Sequence, residues 1–314
     1  MSLHVSEHAD VSTDLVYQFA IAPFGWYAAC AAGLYRSIDH GASWQPAYAS
    51  LGLSDALATL AVAAASGPEA EPFVFAGLSG GLLRSADGGG SWELMPQPAP
   101  APVISALVPS PDFARDGRLF AATMEDGVVL YTDYGRQWAL WNFGLLDTNT
   151  LCLAVSPAYA DDQTLFVGVQ SGLFRSTNGG RSWREVDLPI GYAAVLCLAL
   201  SPRFAQDGWI YAGTEEHGLL RSTDRGRSWQ RVGEEVLTGP INSILLGPQF
   251  PEKPELLVLH GAELLVSADG GDSWGAWRAD RLAGLEITAV AAPHGFAAGA
   301  PVLIGLAGGA IRCV

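Results

Sequence analysis

The sequence predicts an all-β fold, a seven-bladed β-propeller of four-stranded antiparallel blades, and three observations carry that prediction. A short box recurs six times at near-constant spacing, each copy sits inside a unit with four strand-like runs, and the C-terminal end repeats part of that unit once more. The box reads Ser-x-Asp-x-Gly-x-Ser-Trp. It is intact from Ser37 to Trp44, Ser85 to Trp92, Ser222 to Trp229 and Ser267 to Trp274. Asn178 replaces the aspartate in the copy from Ser176 to Trp183, and the copy from Tyr131 to Trp138 keeps Asp133 but has lost both serines. The closing tryptophans, Trp44, Trp92, Trp138, Trp183, Trp229 and Trp274, fall 45 to 48 residues apart. A fixed period in this range marks a propeller or a repeat array.

The chemistry of the box is that of a turn. A short acid or amide (Asp39, Asp87, Asp133, Asn178, Asp224, Asp269) accepts hydrogen bonds from the N–H groups of its own turn, and the glycine two places on tolerates positive φ. The serine hydroxyls add local bonds, and the tryptophan is large enough to anchor the hairpin in an apolar layer. The box resembles the Asp-box, or bacterial neuraminidase repeat (BNR), of sialidase-like propellers and photosystem II assembly factor-like proteins. Matches over residues 33 to 278 cover most of the chain. The resemblance implies a propeller with the box between the third and fourth strands of each blade, on the face away from the ligand site.

Each element of the unit follows from local pattern. In the third unit, Val103 to Val108, Leu119 to Thr123 and Val128 to Thr132 are short apolar runs separated by Ser110-Pro111 and Gly127, and a last strand starts at Trp138. The fourth and fifth units repeat this with Ser156-Pro157 and Ser201-Pro202. Such runs bounded by Gly, Pro and Asp are strands, and four per unit make a propeller blade. The blades are expected near residues 14–50, 57–98, 103–143, 150–188, 194–234, 241–280 and 286–314 of a single domain, 1–314. The last copy lacks its outer strand, so residues 2–10 are expected to complete it and close the ring, which removes two sheet edges. A six-bladed ring with a loose C-terminal segment is the alternative.

Composition bounds the function. Thirty-seven glycines and nineteen prolines suit many tight turns, and thirty-two acids against seventeen bases give a net charge of −15. That balance argues against nucleic acid and anionic membrane as partners, since phosphate binding needs a basic footprint. No apolar run approaches the ~18 residues of a membrane helix, and the start lacks the regions of a secretory signal, so a cytoplasmic monomer is expected. Cys152 and Cys197 occupy one position of successive units, with Gln18, Ala63, Ala106, Ser243 and Thr288 as expected counterparts. Small residues filling the layer between blades, and no disulfide, is the expected reading.

Repeated arginines read as structural: Arg36, Arg84, Arg175, Arg221 and Arg312 precede the box serine or its counterpart and are expected to pair with neighbouring blades. Asp116, Asp162 and Asp207, in Ser-Pro-x-Phe/Tyr-Ala-x-Asp loops, are each placed to close their own turn. The histidines and cysteines lack metal-ligand spacing, and neither metal nor cofactor is expected.

Candidate function sits at the mouth opposite the boxes, where most second-to-third-strand turns are bare glycine and serine. The exceptions are Glu125 and Asp126 in blade three and Glu215, Glu216 and His217 in blade five, with Trp141, Phe143 and Asp147 between blades three and four. Carboxylates beside aromatics suit a basic peptide or a sugar. The expected function is a non-catalytic protein- or peptide-binding scaffold using this acidic mouth; the alternative is a glycoside hydrolase or sugar-binding protein of the BNR type. Catalysis needs two carboxyl groups about 5 to 5.5 Å apart for retention, or about 6.5 to 9.5 Å for inversion. Glu125 and Glu216 lie two blades apart, which leaves Asp126 or Asp147 as the reaching partner.

Overall fold

A computed structural model describes residues 14–53 and 55–314. Seven antiparallel sheets follow one another along the chain. Their inner strands are Val16–Ala22, Thr59–Ser66, Val103–Pro109, Thr150–Val155, Val195–Leu200, Ile241–Leu246 and Ile287–Ala291. Each packs beside the next, and the seventh packs beside the first, so the ring is closed. Six sheets have four strands; among the described residues the last has three, ending with Ile311–Cys313. The expected closing strand, residues 2–10, lies outside the described residues.

Ring closure is visible at Val16. The Thr288 hydroxyl donates to the Val16 carbonyl at 2.8 Å, Leu15 bridges to Ala307, and Val16 is fully buried. Room for it comes from Gly305 of the seventh blade's second strand, where a Cβ would lie 2.5 Å from the Val16 Cβ. The same device recurs: a Cβ on Gly77 would meet Ile104, one on Gly168 the Val195 carbonyl and one on Gly213 Ile241, all within 3 Å. A glycine on the second strand thus lets the next blade's inner strand approach the sheet.

The boxes form as the sequence implies. Ser37 Oγ donates to Asp39 Oδ1 at 2.7 Å, and the Ser43 N–H and hydroxyl donate to the two carboxylate oxygens at 2.9 and 2.6 Å. Gly41 takes the left-handed φ of 83° that only glycine adopts at low cost, and its N–H bonds Ser37 Oγ at 2.8 Å. Asp87, Asp224 and Asp269 repeat the pattern. Asn178 keeps it by accepting from the Ser182 N–H at 2.9 Å and donating to the Ser182 hydroxyl at 2.8 Å.

Blade three departs from it. Without the serines, Asp133 and Tyr134 both take left-handed φ, 50° and 53°, and the turn is held by backbone bonds from Tyr134 to Gly117 and from Arg136 to Asp133. The outer strand then starts early, at Gln137, and runs four residues to Leu140. Trp138 is 38% exposed, whereas Trp44, Trp183 and Trp229 are under 10% exposed. In this blade the closing tryptophan does not anchor the hairpin.

Two further expectations need correction. Most inner strands carry a bulge after their first residue, between Thr59 and Ala61, Thr150 and Cys152, Val195 and Cys197, and Ile287 and Ala289. Aligned on this shared bulge, the counterparts of Cys152 and Cys197 are Ala61, two residues before Ala63, and Ala289, one residue after Thr288. Both thiols stay free and donate across to the next blade, Cys152 to the Val195 carbonyl and Cys197 to the Ile241 carbonyl. The arginines, in turn, lie over aromatic rings of their own blades, Arg84 over Phe73, Arg175 over Phe166 and Arg221 over Trp209. Arg84 also pairs with Glu93 of its own outer strand. Of these three, Arg221 hydrogen-bonds to the next blade, donating to the Gly270 carbonyl at 2.9 Å and to Asp272 at 2.8 Å.

Candidate functional site

The fold sorts its loops onto two faces. The boxes and the Ser-Pro loops share one face; the second-to-third-strand turns and the connections between blades form the other mouth. On the box face each loop aspartate is consumed locally: Asp116, Asp162 and Asp207 accept from Ser110, Ser156 and Ser201 at 2.7, 2.6 and 2.5 Å. Among the described residues, no group of three or more His, Cys, Asp or Glu side chains is arranged to hold a metal ion.

At the other mouth the blade-three turn is built for rigidity. Thr123 and Thr150, both fully buried, bind one another: the Thr123 N–H donates to Thr150 Oγ1 at 2.6 Å, and that hydroxyl donates to the Thr123 carbonyl at 2.7 Å. Asn142, a residue the sequence pattern did not single out, clamps the turn from the far side. Its Oδ1 accepts from the Val128 N–H at 2.8 Å and its Nδ2 donates to the Asp126 carbonyl at 2.7 Å. Glu125, at φ 77°, is left projecting with its side chain exposed.

The blade-five turn is anchored likewise. Thr214 Oγ1 donates to the Gly218 carbonyl at 2.8 Å and accepts from the His217 N–H at 3.0 Å, while Arg231 Nε donates to the His217 carbonyl at 3.2 Å. Glu215 and Glu216 are exposed, and His217 is half-buried. Two turns therefore hold carboxylates out on rigid bases.

Asp147 does something different. Its Oδ1 accepts from the Asn149 N–H and its Oδ2 from the Ser171 N–H, both at 2.9 Å. Both oxygens thus fix the connection between blades three and four to the blade-four turn. Trp141 lies away from the mouth, half-buried in the layer between blades three and four with Phe120, Tyr159 and Trp183. Its carbonyl accepts from Trp183 Nε1 at 2.6 Å, and the Arg181 guanidinium sits 5.9 Å from its ring.

Three large apolar side chains stand almost free on the same connections: Phe143 at 80%, Leu146 at 81% and Tyr192 at 80% exposure. Leu146 and Tyr192 carry no repeat signature and do not stand out in the sequence pattern. Tyr192 borders a cavity of about 340 Å³ that is also lined by Ser171, Glu185, Asp187 and Leu188. A second cavity, of about 520 Å³, opens beside it toward the blade-four and blade-five boxes, with Arg175, Arg184 and Arg227 on its wall. The Arg175 pKa is lowered by burial and then by the charges of Arg227 and Arg225.

A protein-family model for photosynthesis system II assembly factor YCF48 matches residues 134–291, half of the chain, from within the blade-three box turn to the inner strand of blade seven. The chain belongs to the YCF48 family. Among solved structures, a YCF48 bound to a D1 peptide superposes with a TM-score of 0.69 at 16% identity, covering 100% of this chain and 96% of that one. An extracellular domain of a one-component system from B. thetaiotaomicron gives 0.72 at 14% identity over 100% of this chain, and the GH74 enzyme of Niastella koreensis gives 0.70 at 14% over 96%. The chain spans only 39% and 43% of those two longer proteins. At such identities the likeness shows the fold alone. No curated protein matches the sequence. No helix among the described residues is long and apolar enough to cross a membrane.

Proposed function

We propose that this YCF48-family propeller is a non-catalytic peptide- or protein-binding scaffold, and that its partner is a basic segment with apolar residues, taken at the mouth of blades three to five. The observation that carries this reading is the exposure of Phe143, Leu146 and Tyr192 on connections flanked by Glu125, Asp126, Glu215 and Glu216. Aromatic and aliphatic groups left in water beside rigid turns are the ones binding would bury, and they dominate interface energetics. The surrounding acids attract a basic partner and set its rate of arrival. A YCF48 bound to a D1 peptide supports the same kind of partner. The carbohydrate alternative is weaker because Trp141, the ring best suited to stack on a sugar, is packed between blades, and Asp147 spends both oxygens on backbone N–H groups.

The test is a titration of the protein with a synthetic peptide of alternating valine and threonine flanked by lysines, at low and high salt. Affinity should fall as salt rises. It should fall several-fold in Glu125→Gln/Glu216→Gln, and by roughly tenfold or more in Phe143→Ser/Tyr192→Ser, the scale of a truncated hot spot. Affinity indifferent to salt and to both double variants would end this reading.

A further inference from the structure

The outer edge of blade three differs from the others, and the difference follows from its degenerate box. Trp141 donates its N–H to the Val128 carbonyl at 2.9 Å. The register runs Val129 to Leu140, Leu130 to Ala139, Tyr131 to Trp138 and Thr132 to Gln137. Facing residues of an antiparallel pair alternate between bonded and non-bonded. Gln137 and Ala139 therefore turn their N–H and C=O groups toward the third strand, while Trp138 and Leu140 turn theirs outward. All four residues of this strand are exposed.

Blades one and four protect this edge. The same register puts Pro46 at the outward position of blade one and Glu185 at that of blade four, a residue without an N–H and a charge, both devices that stop a foreign strand from pairing. Blade two offers a single outward residue, Leu94, on a two-residue strand. Blade three offers two in succession, Trp138 and Leu140, 38% and 48% exposed, with neither proline nor charge between them. Beyond Leu140 the chain reaches Asn142, bonded to the Asp126 carbonyl, so the end of this edge lies beside the acidic blade-three turn.

We propose that the outer strand of blade three is a docking edge at which an extended segment of another protein adds as a fifth strand, with apolar residues at alternate positions and a lysine or arginine beside Glu125 and Asp126. This rests on the peptide-binding reading above and names how the peptide is held. Main-chain hydrogen bonds supply the pairing, and side chains beside Trp138 and Leu140 supply the selection. The occupant is another protein and not a second copy of this chain, because a net charge of −15 opposes bringing two copies edge to edge and draws in a basic segment.

The experiment uses the same valine–threonine–lysine peptide and two N-methylated forms, one methylated on the valine nitrogens and one on the threonine nitrogens. Strand addition turns alternate N–H groups toward the protein, so one form should lose binding and the other keep it. Leu140→Pro should weaken binding of the unmodified peptide by roughly tenfold, the scale of a lost hydrogen bond with its neighbouring contacts, and Trp138→Lys should weaken it further by repulsion. Leu140→Pro should melt with the wild type, since Pro46 occupies the equivalent place in blade one.

If the unmodified peptide does not bind, or binds equally in both methylated forms and to Leu140→Pro, the proposal is overturned. Sensitivity to Glu125→Gln/Glu216→Gln in the latter case would leave the mouth reading standing without strand addition. Binding lost in Leu140→Pro but indifferent to the glutamate changes would do the reverse. Self-association of the wild type in sedimentation that Leu140→Pro abolishes, with no competition by the peptide, would assign the edge to a second copy and overturn the occupant named here.

Discussion

Gly305→Val will lower the melting temperature by several degrees, because it strikes the contact through which the ring closes. A Cβ at this position would lie 2.5 Å from Val16 Cβ and 2.6 Å from its Cγ1, and Val16 is fully buried between the first and seventh blades. Overpacking a filled core costs about 1–3 kcal/mol, and the upper end is expected here because relief requires the inner strand of blade one to part from the second strand of blade seven. Gly275→Val serves as the control: no atom lies within 4 Å of its Cβ position and it sits on an exposed outer strand. Such a surface change is expected within about 0.5 kcal/mol of neutral. Thermal or urea unfolding of the two variants side by side checks the pair, and a Gly305→Val protein that melts with the wild type would contradict ring closure through Val16.

Acid should unfold the protein through its boxes. Hydrogen bonds from the Ser43 hydroxyl, the Ser43 N–H and the Ser37 hydroxyl hold the Asp39 pKa down at about 2. The Asp269 pKa is likewise held at about 2, first by the Ser273 hydroxyl and N–H and then by the Ser267 hydroxyl. At Asp87, desolvation pushes the pKa up, but donors from Ser91, Ser85 and Gly90 outweigh it and leave it at about 2. Asp224 is lowered by the same balance. These folded-state values lie below the ordinary carboxyl value of 3.8, so the unfolded chain binds more protons. The stabilisation is complete above about pH 4 and is lost as pH falls through about 2. The groups are largely exposed, so solvent screening keeps each contribution small; the effect comes from four boxes titrating together. Melting temperature should drop steeply between about pH 4 and 2. Replacing all four aspartates with asparagine, as Asn178 already does in blade four, should flatten that drop. Parallel curves for wild type and variant would rule the boxes out as the acid-sensitive element.

The fold was legible because the box is a local device, with turn chemistry that needs only Ser37, Asp39, Gly41, Ser43 and their counterparts, repeated at a fixed distance. What stayed hidden depends on the register between the strands of a blade. An inserted residue in an inner strand leaves hydrophobic alternation nearly intact, so Ala63 and Thr288 looked equivalent to Cys152 where the bulge selects Ala61 and Ala289. The arginine repeat was visible, but that Arg84 and Arg175 lie over Phe73 and Phe166 of their own blades depends on register. Box degeneracy at Tyr131 and Gln137 was plain to see, while its consequence, a longer exposed outer strand with Trp138 turned to solvent, was not.

At the mouth, Glu125, Glu215 and Glu216 stood out because other turns there are bare, and their exposure matches what a turn tip implies. Trp141 and Asp147 stood out equally, yet they are fixed by Trp183, Ser171 and Asn149, partners distant in sequence or main-chain groups that a composition reading does not weigh. Leu146 and Tyr192 lie in connections of ordinary composition. Only the absence of a packing partner in the folded ring marks them.

Amide hydrogen exchange with and without the saturating valine–threonine–lysine peptide tests the central claim most directly. Binding at the mouth predicts slowed exchange in residues 124–127, 141–149, 187–193 and 215–218, with the box turns at 176–183 and 222–229 unchanged. Protection confined to the box turns, or no protection at a peptide concentration that saturates binding, would contradict it.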